Sequence, residues 1–215
     1  MIHLEGINKR FGDTHVLRNV TLTIGSGEFV AVMGSSGSGK STLLNLIGGM
    51  DRPDSGHIAI GGDDITLYTD EQLTLHRRKR IGFIFQFFNL LPNITVLENV
   101  HLPLLLNGID DERRAADFLN RVGLREKASA YPYQLSGGEQ QRVAIVRALI
   151  HDPAIILADE PTGSLDSRTG ESIMKLICDV TAESRKTLVL VTHEQHIAEY
   201  AGRIVRIKDG RISGP

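Results

Sequence analysis

Short apolar runs separated by glycines dominate the first third of the chain, and this pattern predicts β-strands. The predicted strands are Ile2–Ile7, Val20–Ile24, Phe29–Met33, His57–Ile60 and Ile81–Phe85. Two later runs, Ile155–Ala158 and Leu188–Val191, are nearly all apolar, which is typical of parallel strands buried on both faces. A last hairpin is predicted for residues 204–212, because Asp209-Gly210 is a turn signal between two short β-type runs.

From Asn89 to Ile150 the spacing of the apolar residues becomes helical. Residues Asp110–Val122 are charged and amphipathic, and Val143 and Val146 recur on one side of the segment that ends at Ile150. No internal repeat, low-complexity tract or interdomain linker is visible in the sequence. The pattern therefore predicts one α/β domain with a helical insert.

Composition and charge exclude several classes of function. The 215 residues are 41% hydrophobic and 23% charged, as in ordinary globular proteins. The net charge of -2 gives no support to nucleic-acid binding, and the basic cluster at 76–80 is interpreted as the end of a solvated helix. No apolar run is long enough to span a bilayer, so no direct membrane insertion is predicted. The single Cys178 is predicted to be a buried structural thiol, which fits a reducing cytoplasm.

A glycine-rich segment follows the predicted strand Phe29–Met33 and precedes a predicted helix, Thr42–Ile47. Its Gly-x4-Gly-Lys-Ser spacing fits the Walker A pattern. Free backbone N–H groups and the helix dipole favour phosphate at such a place. Lys40 is predicted to reach the β- and γ-phosphates of ATP, and the Ser41 hydroxyl to ligate Mg²⁺. The predicted nucleotide contacts of this segment are Gly34, Ser35, Ser36, Gly37, Ser38, Gly39, Lys40, Ser41 and Thr42.

A second glycine-rich segment, Leu135-Ser136-Gly137-Gly138-Glu139, also reads as a loop that enters a helix. Ser136 and Glu139 have the spacing of a capping box, in which the serine caps the helix and the glutamate reaches back. Two consecutive glycines weaken a helix start, unless backbone N–H groups there must approach a ligand. We therefore predict both roles, a helix cap and a second contact with phosphate.

With its continuation Gln140-Gln141-Arg142, this segment resembles the signature motif of the ATP-binding-cassette (ABC) family, although Glu139 stands where the commonest form has Gln. The resemblance runs the whole length of the chain. It implies a single ABC ATPase domain over residues 1–215. The implied fold is an α/β P-loop NTPase core of the ABC type, with an N-terminal antiparallel β subdomain and an inserted α-helical subdomain at approximately 87–152.

Two carboxylates, Asp159 and Glu160, follow the apolar run Ile155–Ala158. Taken alone, two acidic residues at a strand end are often solvated loop residues. Downstream of a Walker A motif, Asp159 is expected to hold Mg²⁺, directly or through water. Glu160 is expected to orient and polarise the attacking water, mostly by positioning it.

Four further residues take their roles from the resemblance alone. Gln86 matches the Q-loop glutamine, which senses Mg²⁺ and the attacking water. His193 matches the switch histidine, which contacts the γ-phosphate; a zinc site with His196 is rejected because the two histidines are three residues apart rather than four. Asp166 lies in the segment that matches the D-loop at the dimer interface. Phe11 stands where the family stacks an aromatic ring, usually Tyr, on adenine.

The family resemblance also implies partners and a location. It implies an ATPase subunit that works as a head-to-tail homodimer, with each ATP between the Walker A segment of one copy and Ser136–Glu139 of the other. An integral membrane permease is expected to dock near Phe87–Val100, which would hold the chain on the cytoplasmic face of the membrane. Within that segment, Phe87, Phe88, Leu90 and Leu91 are expected to be a mixture of core and interface.

Residues 82–92, Leu102-Pro103-Leu104-Leu105 and residues 158–166 resemble the lipoprotein-release and macrolide-export branch of the family. The closely similar cell-division ATPase, which signals to cell-wall hydrolases without transport, remains an alternative. A soluble ABC ATPase of DNA repair or translation is less favoured, because the chain has neither a long coiled coil nor a second cassette. A small-molecule P-loop kinase would leave Ser136–Glu139 and His193 without a role. The substrate stays open, because specificity in such systems lies in the membrane subunit.

Overall fold

The computed structural model describes residues 1–213. The chain divides into two compact units. The first contains residues 1–77 and those from 181 onward, and the second contains residues 78–180.

The strands are β1 (Ile2–Phe11), β2 (Thr14–Ile24), β3 (Phe29–Met33), β4 (Ser55–Ile60), β5 (Asp63–Asp64), β6 (Ile81–Phe85), β7 (Ile155–Asp159), β8 (Thr187–Thr192), β9 (Arg203–Lys208) and β10 (Arg211–Ser213). The helices are α1 (Lys40–Ile47), α2 (Asp70–Arg80), α3 (Val96–Leu106), α4 (Glu112–Arg121), α5 (Gly137–Leu149), α6 (Ser167–Glu183) and α7 (Gln195–Ala198). Mixed α/β architecture is thus confirmed.

The first unit begins with an antiparallel sheet in the order β2-β1-β4-β5. Ile2 lies opposite Ile24 on one side and Ile60 on the other. In β1 the buried residues Ile2 and Leu4 alternate with the exposed His3, which is the period expected of a strand with one buried face. The predicted N-terminal antiparallel sheet is therefore confirmed.

A second set of strands in the first unit has β3 at its centre. Strand β3 is parallel to both β8 and β9, and β10 closes the antiparallel hairpin with β9. Val30 and Val32 are fully buried, as expected of a central parallel strand. Met33 lies opposite Thr192, so the chain leaves β3 and β8 at the same edge of the sheet. That edge places the loop before α1 and the residue after β8, His193, on one side of the unit.

The second unit pairs β6 with β7 in parallel, and Phe85 lies opposite Asp159 at the end of the pair. The residues that follow, Gln86 and Glu160, therefore leave the two strands at one edge. Helices α3, α4 and α5 enclose a separate apolar core. Its buried members are Val96, Val100, Leu104, Ala115, Leu119, Leu124, Leu135, Val143, Val146 and Ile150. This core is the α-helical part of the fold; the boundaries 87–152 and the single domain over 1–215 stay predictions.

Several predicted bounds differ from those observed. Strand β2 begins at Thr14, six residues before the predicted start; its first half was missed because Val16 and Leu17 are adjacent among polar residues and do not alternate with them. Helix α4 begins at Glu112 rather than Asp110, because the Asp111 carboxylate caps it by accepting a bond from the Arg114 N–H at 2.9 Å.

The Cys178 thiol is half-buried rather than fully buried. Partial burial raises its pKa, with a smaller contribution from the neighbouring Asp179. A raised thiol pKa disfavours the reactive thiolate, in line with the predicted structural role.

Candidate functional site

The glycine-rich loop between β3 and α1 folds back on its own lysine. Lys40 is buried, and its Nζ donates to the backbone carbonyls of Gly34 and Ser35 at 2.9 and 3.0 Å. Gly37 has a φ of +76°, and a Cβ built there would meet nothing within 4 Å. The loop therefore presents an open cradle with an ammonium group beside it.

Ser38 supplies a polar atom that a ligand can satisfy. Its side chain is 5% exposed, and within the described residues its Oγ has no hydrogen-bond partner. A buried hydroxyl without a partner costs about 1–3 kcal/mol, so such groups usually mark a bound water, ion or ligand. An orphaned hydroxyl, a buried ammonium and the N-terminus of α1 together fit an oligophosphate group.

Phe11 is 53% exposed at the end of β1. The Lys9 Nζ lies 5.0 Å from the centre of its ring. That ammonium is itself held by the Asp51 carboxylate and the Arg52 carbonyl, each at 2.7 Å. One side of the ring is therefore occupied by a fixed cation, and the ring retains exposed surface on which a flat base can stack.

His193 is exposed directly after β8, at the edge where β3 and β8 end together. The neighbouring Glu194 N–H donates to Thr192 Oγ1 at 3.0 Å, which fixes the turn that carries the histidine. Phe11, the segment Gly34–Thr42 and His193 all belong to the first unit.

The second unit brings Gln86 and Glu160 together around Gly163. A Cβ built on Gly163 would lie 2.9 Å from Gln86 Nε2 and 3.4 Å from Glu160 Oε2. The Gly163 N–H donates to the Glu160 carbonyl at 3.0 Å, and Ser164 Oγ donates to the Gln86 carbonyl at 2.8 Å. Glu160 itself has a φ of +46°, a strained conformation for a non-glycine residue that is often found at functional sites.

The predicted capping box at the start of α5 is present. The Ser136 N–H donates to Glu139 Oε2 at 2.8 Å, and the Glu139 N–H donates to Ser136 Oγ at 3.4 Å. The bond from the Ser136 backbone holds the pKa of the Glu139 carboxyl below its usual value. The carboxylate is thus ionised and engaged with its own helix terminus.

The pair of glycines in this segment has a packing explanation that the sequence did not reveal. A Cβ on Gly138 would lie 2.6 Å from Thr169 Cγ2 on α6, whereas a Cβ on Gly137 would be 3.3 Å from Leu165 Cδ2. Close packing of α5 against α6 therefore explains the glycine at 138 without a ligand, while its predicted contact with nucleotide stays a prediction. Gly137 has more room and keeps its predicted role as a phosphate contact.

Asp166 stands immediately before α6 and acts as its cap. Its Oδ1 accepts a bond from the Thr169 N–H at 3.1 Å. Hydrogen bonds from the Thr169 side chain and backbone lower the pKa of this carboxyl. The two predicted site carboxylates at helix starts, Asp166 and Glu139, are thus both positioned by helix capping.

The segment after Gln86 divides into core and surface, as expected. Phe87 is 73% exposed and Leu91 is 46% exposed. Phe88 and Leu90 are partly buried, and Leu90 packs against the helical core. The exposed members form an apolar surface next to Gln86, which suits a contact with another protein.

Sequence reasoning missed two polar residues on α5, the buried Gln141 and the partly buried Arg147. The Gln141 amide bonds the carbonyls of Phe85 and Pro161, and the Arg147 guanidinium bonds those of Phe88 and Asn89. A partial signal existed in the sequence, since Arg147 interrupts the otherwise apolar stretch from Val143 to Ile150. Their partners are backbone atoms, however, and those partners become visible only in the folded chain.

The predicted magnesium ligands carry oxygen donors that suit this ion. Ser41, Asp159 and Gln86 offer a hydroxyl, a carboxylate and an amide oxygen, which are the hard donors that Mg²⁺ prefers. Among residues 1–213 no group of three or more His, Cys, Asp or Glu side chains is placed to hold a metal. The residues present therefore fit an ion that takes most of its ligands from substrate phosphates and water. Within the same residues, no helix is both long and apolar enough to cross a membrane.

Comparisons with known proteins agree with one another. A family model described as ABC transporter matches residues 17–163. The chain is 46% identical to the lipoprotein-releasing system ATP-binding protein LolD of Bacteroides fragilis over 99% of this chain and 100% of that protein. It is 46% identical to the macrolide export ATP-binding/permease protein MacB of Nitrosomonas europaea, over 99% of this chain but 33% of that longer protein. A dimeric structure of the cassette MJ0796 bound to ADP and Pi superposes with a TM-score of 0.92 and 46% identity, covering 100% of this chain and 97% of that one; MJ0796 comes from Methanocaldococcus jannaschii.

Proposed function

The chain belongs to the ABC transporter family and is an ATP-binding ATPase, and from this premise we propose that two copies of it close head-to-tail on ATP. Each ATP would lie between the Gly34–Thr42 loop of one copy and the Ser136–Glu139 segment of the other. The dimeric state of the similar cassette MJ0796 supports this arrangement. The observation that carries it is the second helix start: α5 begins at the partly exposed Gly137, next to the exposed Ser136, and the start of a helix favours phosphate.

Separate groups of residues would bind the base and the phosphates of the nucleotide. Phe11 would stack on adenine while Lys9 holds the ring in place. The orphaned Ser38 hydroxyl, the Lys40 ammonium and the N–H groups of the loop would take the triphosphate. On binding, Lys40 would exchange its two carbonyl partners, Gly34 and Ser35, for phosphate oxygens, so that the ammonium bonds opposite charges in place of neutral acceptors.

Hydrolysis of ATP to ADP and phosphate would use three side chains. Glu160, held in an unusual backbone conformation, would orient and polarise the attacking water. Gln86 would sense the same water, since its amide and the Glu160 carboxylate flank Gly163. His193 would contact the γ-phosphate from the end of β8. Ser41, Asp159 and Gln86 would hold a magnesium ion, which supplies charge neutralisation of the phosphates when it is bound.

A membrane partner would receive the motion of the dimer. We infer that an integral membrane permease docks near Phe87–Val100, where Phe87 and Leu91 are exposed beside Gln86. The chain would then lie in the cytoplasm, held at the inner face of the membrane by that partner. The similarity to LolD and MacB favours export or mechanotransmission of the lipoprotein-release and macrolide-export type.

Two other functions within the family are less supported. A cell-division ATPase would share the same motor and docking surface but would signal to cell-wall hydrolases. A soluble ABC ATPase would have no use for the exposed apolar segment after Gln86. The names of the relatives reported above favour neither alternative.

Replacing Glu160 by Gln tests the hydrolytic assignment. The change keeps the shape of the side chain but removes the carboxylate that orients water, so steady turnover is expected to fall by at least about 100-fold. With hydrolysis blocked, ATP should convert the purified chain from monomer to dimer in light scattering. Glu171→Gln, an exposed position on α6, is the matched control and should keep wild-type turnover. Turnover within twofold of wild type in Glu160→Gln would contradict the assignment.

Replacing Leu91 by Glu tests the docking surface. A charge on that exposed apolar patch should release the chain from membranes that contain its partner, while ATPase activity of the purified chain stays within twofold of wild type. Leu105→Glu is the matched control, because Leu105 is exposed to a similar degree but lies outside Phe87–Val100. Equal membrane retention of the two variants would refute docking at this segment.

A further inference from the structure

The backbone of the Gln86 loop is held by side chains at four of its carbonyls. The Gln141 Nε2 donates to the Phe85 carbonyl at 3.3 Å, and Ser164 Oγ donates to the Gln86 carbonyl at 2.8 Å. Arg147 donates to the Phe88 and Asn89 carbonyls at 2.8 and 2.6 Å. Two of these three donors lie on α5, the helix that begins with the Ser136–Glu139 segment.

Gln141 links two parts of the site. Its side chain is fully buried, and the same Nε2 that reaches Phe85 also donates to the Pro161 carbonyl at 2.7 Å. Phe85 precedes Gln86 and Pro161 follows Glu160, so one amide joins the backbone beside both residues. Its Oε1 is buried and, among the described residues, has no hydrogen-bond partner. A half-satisfied buried amide is not the most stable choice for such a position, which points to a role besides stability.

Arg147 holds a strained stretch of the same loop. Phe88 and Asn89 have φ values of +60° and +50°; asparagine tolerates this conformation, but a bulky residue such as Phe88 adopts it only when the surroundings impose it. Burial lowers the pKa of the Arg147 guanidinium to about 10, which still leaves it charged at neutral pH. Its charge-assisted bonds to two consecutive carbonyls therefore fix the turn that leads away from Gln86.

We propose that Gln141 and Arg147 are positioning residues for ATP hydrolysis, which tie the Gln86 loop and the Glu160–Pro161 turn to helix α5. Any displacement of α5 that follows contact of its N-terminus with nucleotide is passed directly to Gln86 and to Glu160. Neither side chain touches the nucleotide. The inference rests on the roles proposed for Gln86 and Glu160.

A double-mutant cycle between Gln141 and Gln86 tests the inference. Gln141→Met keeps the approximate volume of the side chain and removes both donated bonds. In the wild-type background it should lower kcat by about 10- to 100-fold, as expected for a small misplacement of catalytic groups, with KM for ATP changed less than twofold. In the Gln86→Ala background the same change should lower kcat by a clearly smaller factor, because one of the two groups through which it acts is gone and only its contact beside Glu160 remains.

Asn107→Leu is the matched control for a purely structural effect. The Asn107 amide also donates to two backbone carbonyls, those of Arg78 and Pro103, at 3.0 and 2.8 Å, but on the far end of α3. It should lower the melting temperature to an extent similar to Gln141→Met and leave kcat within about twofold of wild type in both backgrounds. A structural role for Gln141 would make the two variants behave alike.

Arg147→Lys provides a second variant should Gln141→Met fail to fold. Lysine keeps the charge but loses the fork of donors, so kcat should fall less than for Arg147→Met, with KM unchanged. Because Arg147 bonds carbonyls of the loop that follows Gln86, its effect on kcat should appear only when Gln86 is present. The inference is overturned if either variant lowers kcat equally with and without Gln86, or leaves it at the wild-type value. Failure of the proposed function would look different: Gln86→Ala or Glu160→Gln alone would then keep wild-type turnover.

Discussion

At the scale of single residues, the candidate site contains side chains that still have a polar atom or a ring face available to a ligand. Among residues 1–213 the Ser38 hydroxyl has no hydrogen-bond partner, Lys40 is bonded to carbonyls of its own loop, and the Phe11 ring is partly exposed above a fixed ammonium. The roles of Ser38 and Lys40 were predictable from the Gly-x4-Gly-Lys-Ser spacing, whereas that of Phe11 came from the family resemblance alone. The support of Phe11 by Lys9 was not predictable, since that contact depends on the Asp51 carboxylate 42 positions away in the chain.

Phe11→Ala should weaken binding of ATP without changing binding of inorganic tripolyphosphate. Stacking of a base on an aromatic ring contributes roughly 1–3 kcal/mol, so Kd for ATP should rise between about 5- and 150-fold. Phe11→Tyr is the conservative control and should bind ATP at least as well as the wild type. Calorimetric titration with both ligands makes the measurement; equal losses for ATP and tripolyphosphate would exclude the base as the partner of Phe11.

Glu139→Gln should reduce the dependence of stability on pH. The folded-state pKa of this carboxyl is lowered, so its stabilisation is present above the unfolded value and is lost as the pH falls through the folded value. The group is largely exposed, and screening limits the effect to about 0.5 kcal/mol, or roughly 1–2 °C in melting temperature at neutral pH. The difference between wild type and variant should begin to shrink as the pH falls below the unfolded value of about 4.3 and should disappear below the lowered folded value. A difference that grows on acidification would contradict the capping role.

At the scale of elements, the start of α5 packs closely against α6, and a binding role is proposed for the same segment. The apolar runs of β3, β6, β7 and β8 were predicted to within a few residues, because central parallel strands are continuous apolar segments. Helix α6 and the close contact of its Thr169 with Gly138 were not predicted. Such a contact joins two elements that are distant in sequence, and no local pattern encodes it. Gln141 and Arg147 were missed for the same reason.

Gly138→Ala should destabilise the chain through a clash with Thr169. The added methyl group would overlap Thr169 Cγ2, and the net cost is about 1–2 kcal/mol after the better helix propensity of alanine is included. Melting temperature should fall by roughly 2–8 °C. Thr169→Ser removes the overlapping methyl group while keeping the hydroxyl, so the double variant should recover most of the loss. A stability loss that Thr169→Ser does not relieve would contradict the packing explanation for Gly138.

At the scale of the whole molecule, the proposed motor is complete only as a pair of copies. The chain carries one Walker A loop at the start of α1 and one signature segment at the start of α5, each in its own compact unit. The family and the catalytic class were predicted from these motifs and are confirmed by the comparisons. The sequence does not reveal a cargo or a membrane partner, because the roles proposed for its residues concern nucleotide and a docking surface rather than a transported molecule.

Complementation between two inactive variants measures the central claim most directly. Lys40→Ala removes the phosphate-binding ammonium, and Gly137→Asp places a carboxylate at the start of α5, where it favours the helix but repels phosphate. Each variant alone should hydrolyse ATP at a small fraction of the wild-type rate. Mixed one to one, half of the dimers should contain one intact shared site, which restores about a quarter of the wild-type rate. A mixture no more active than the two variants measured separately would contradict a site shared between copies.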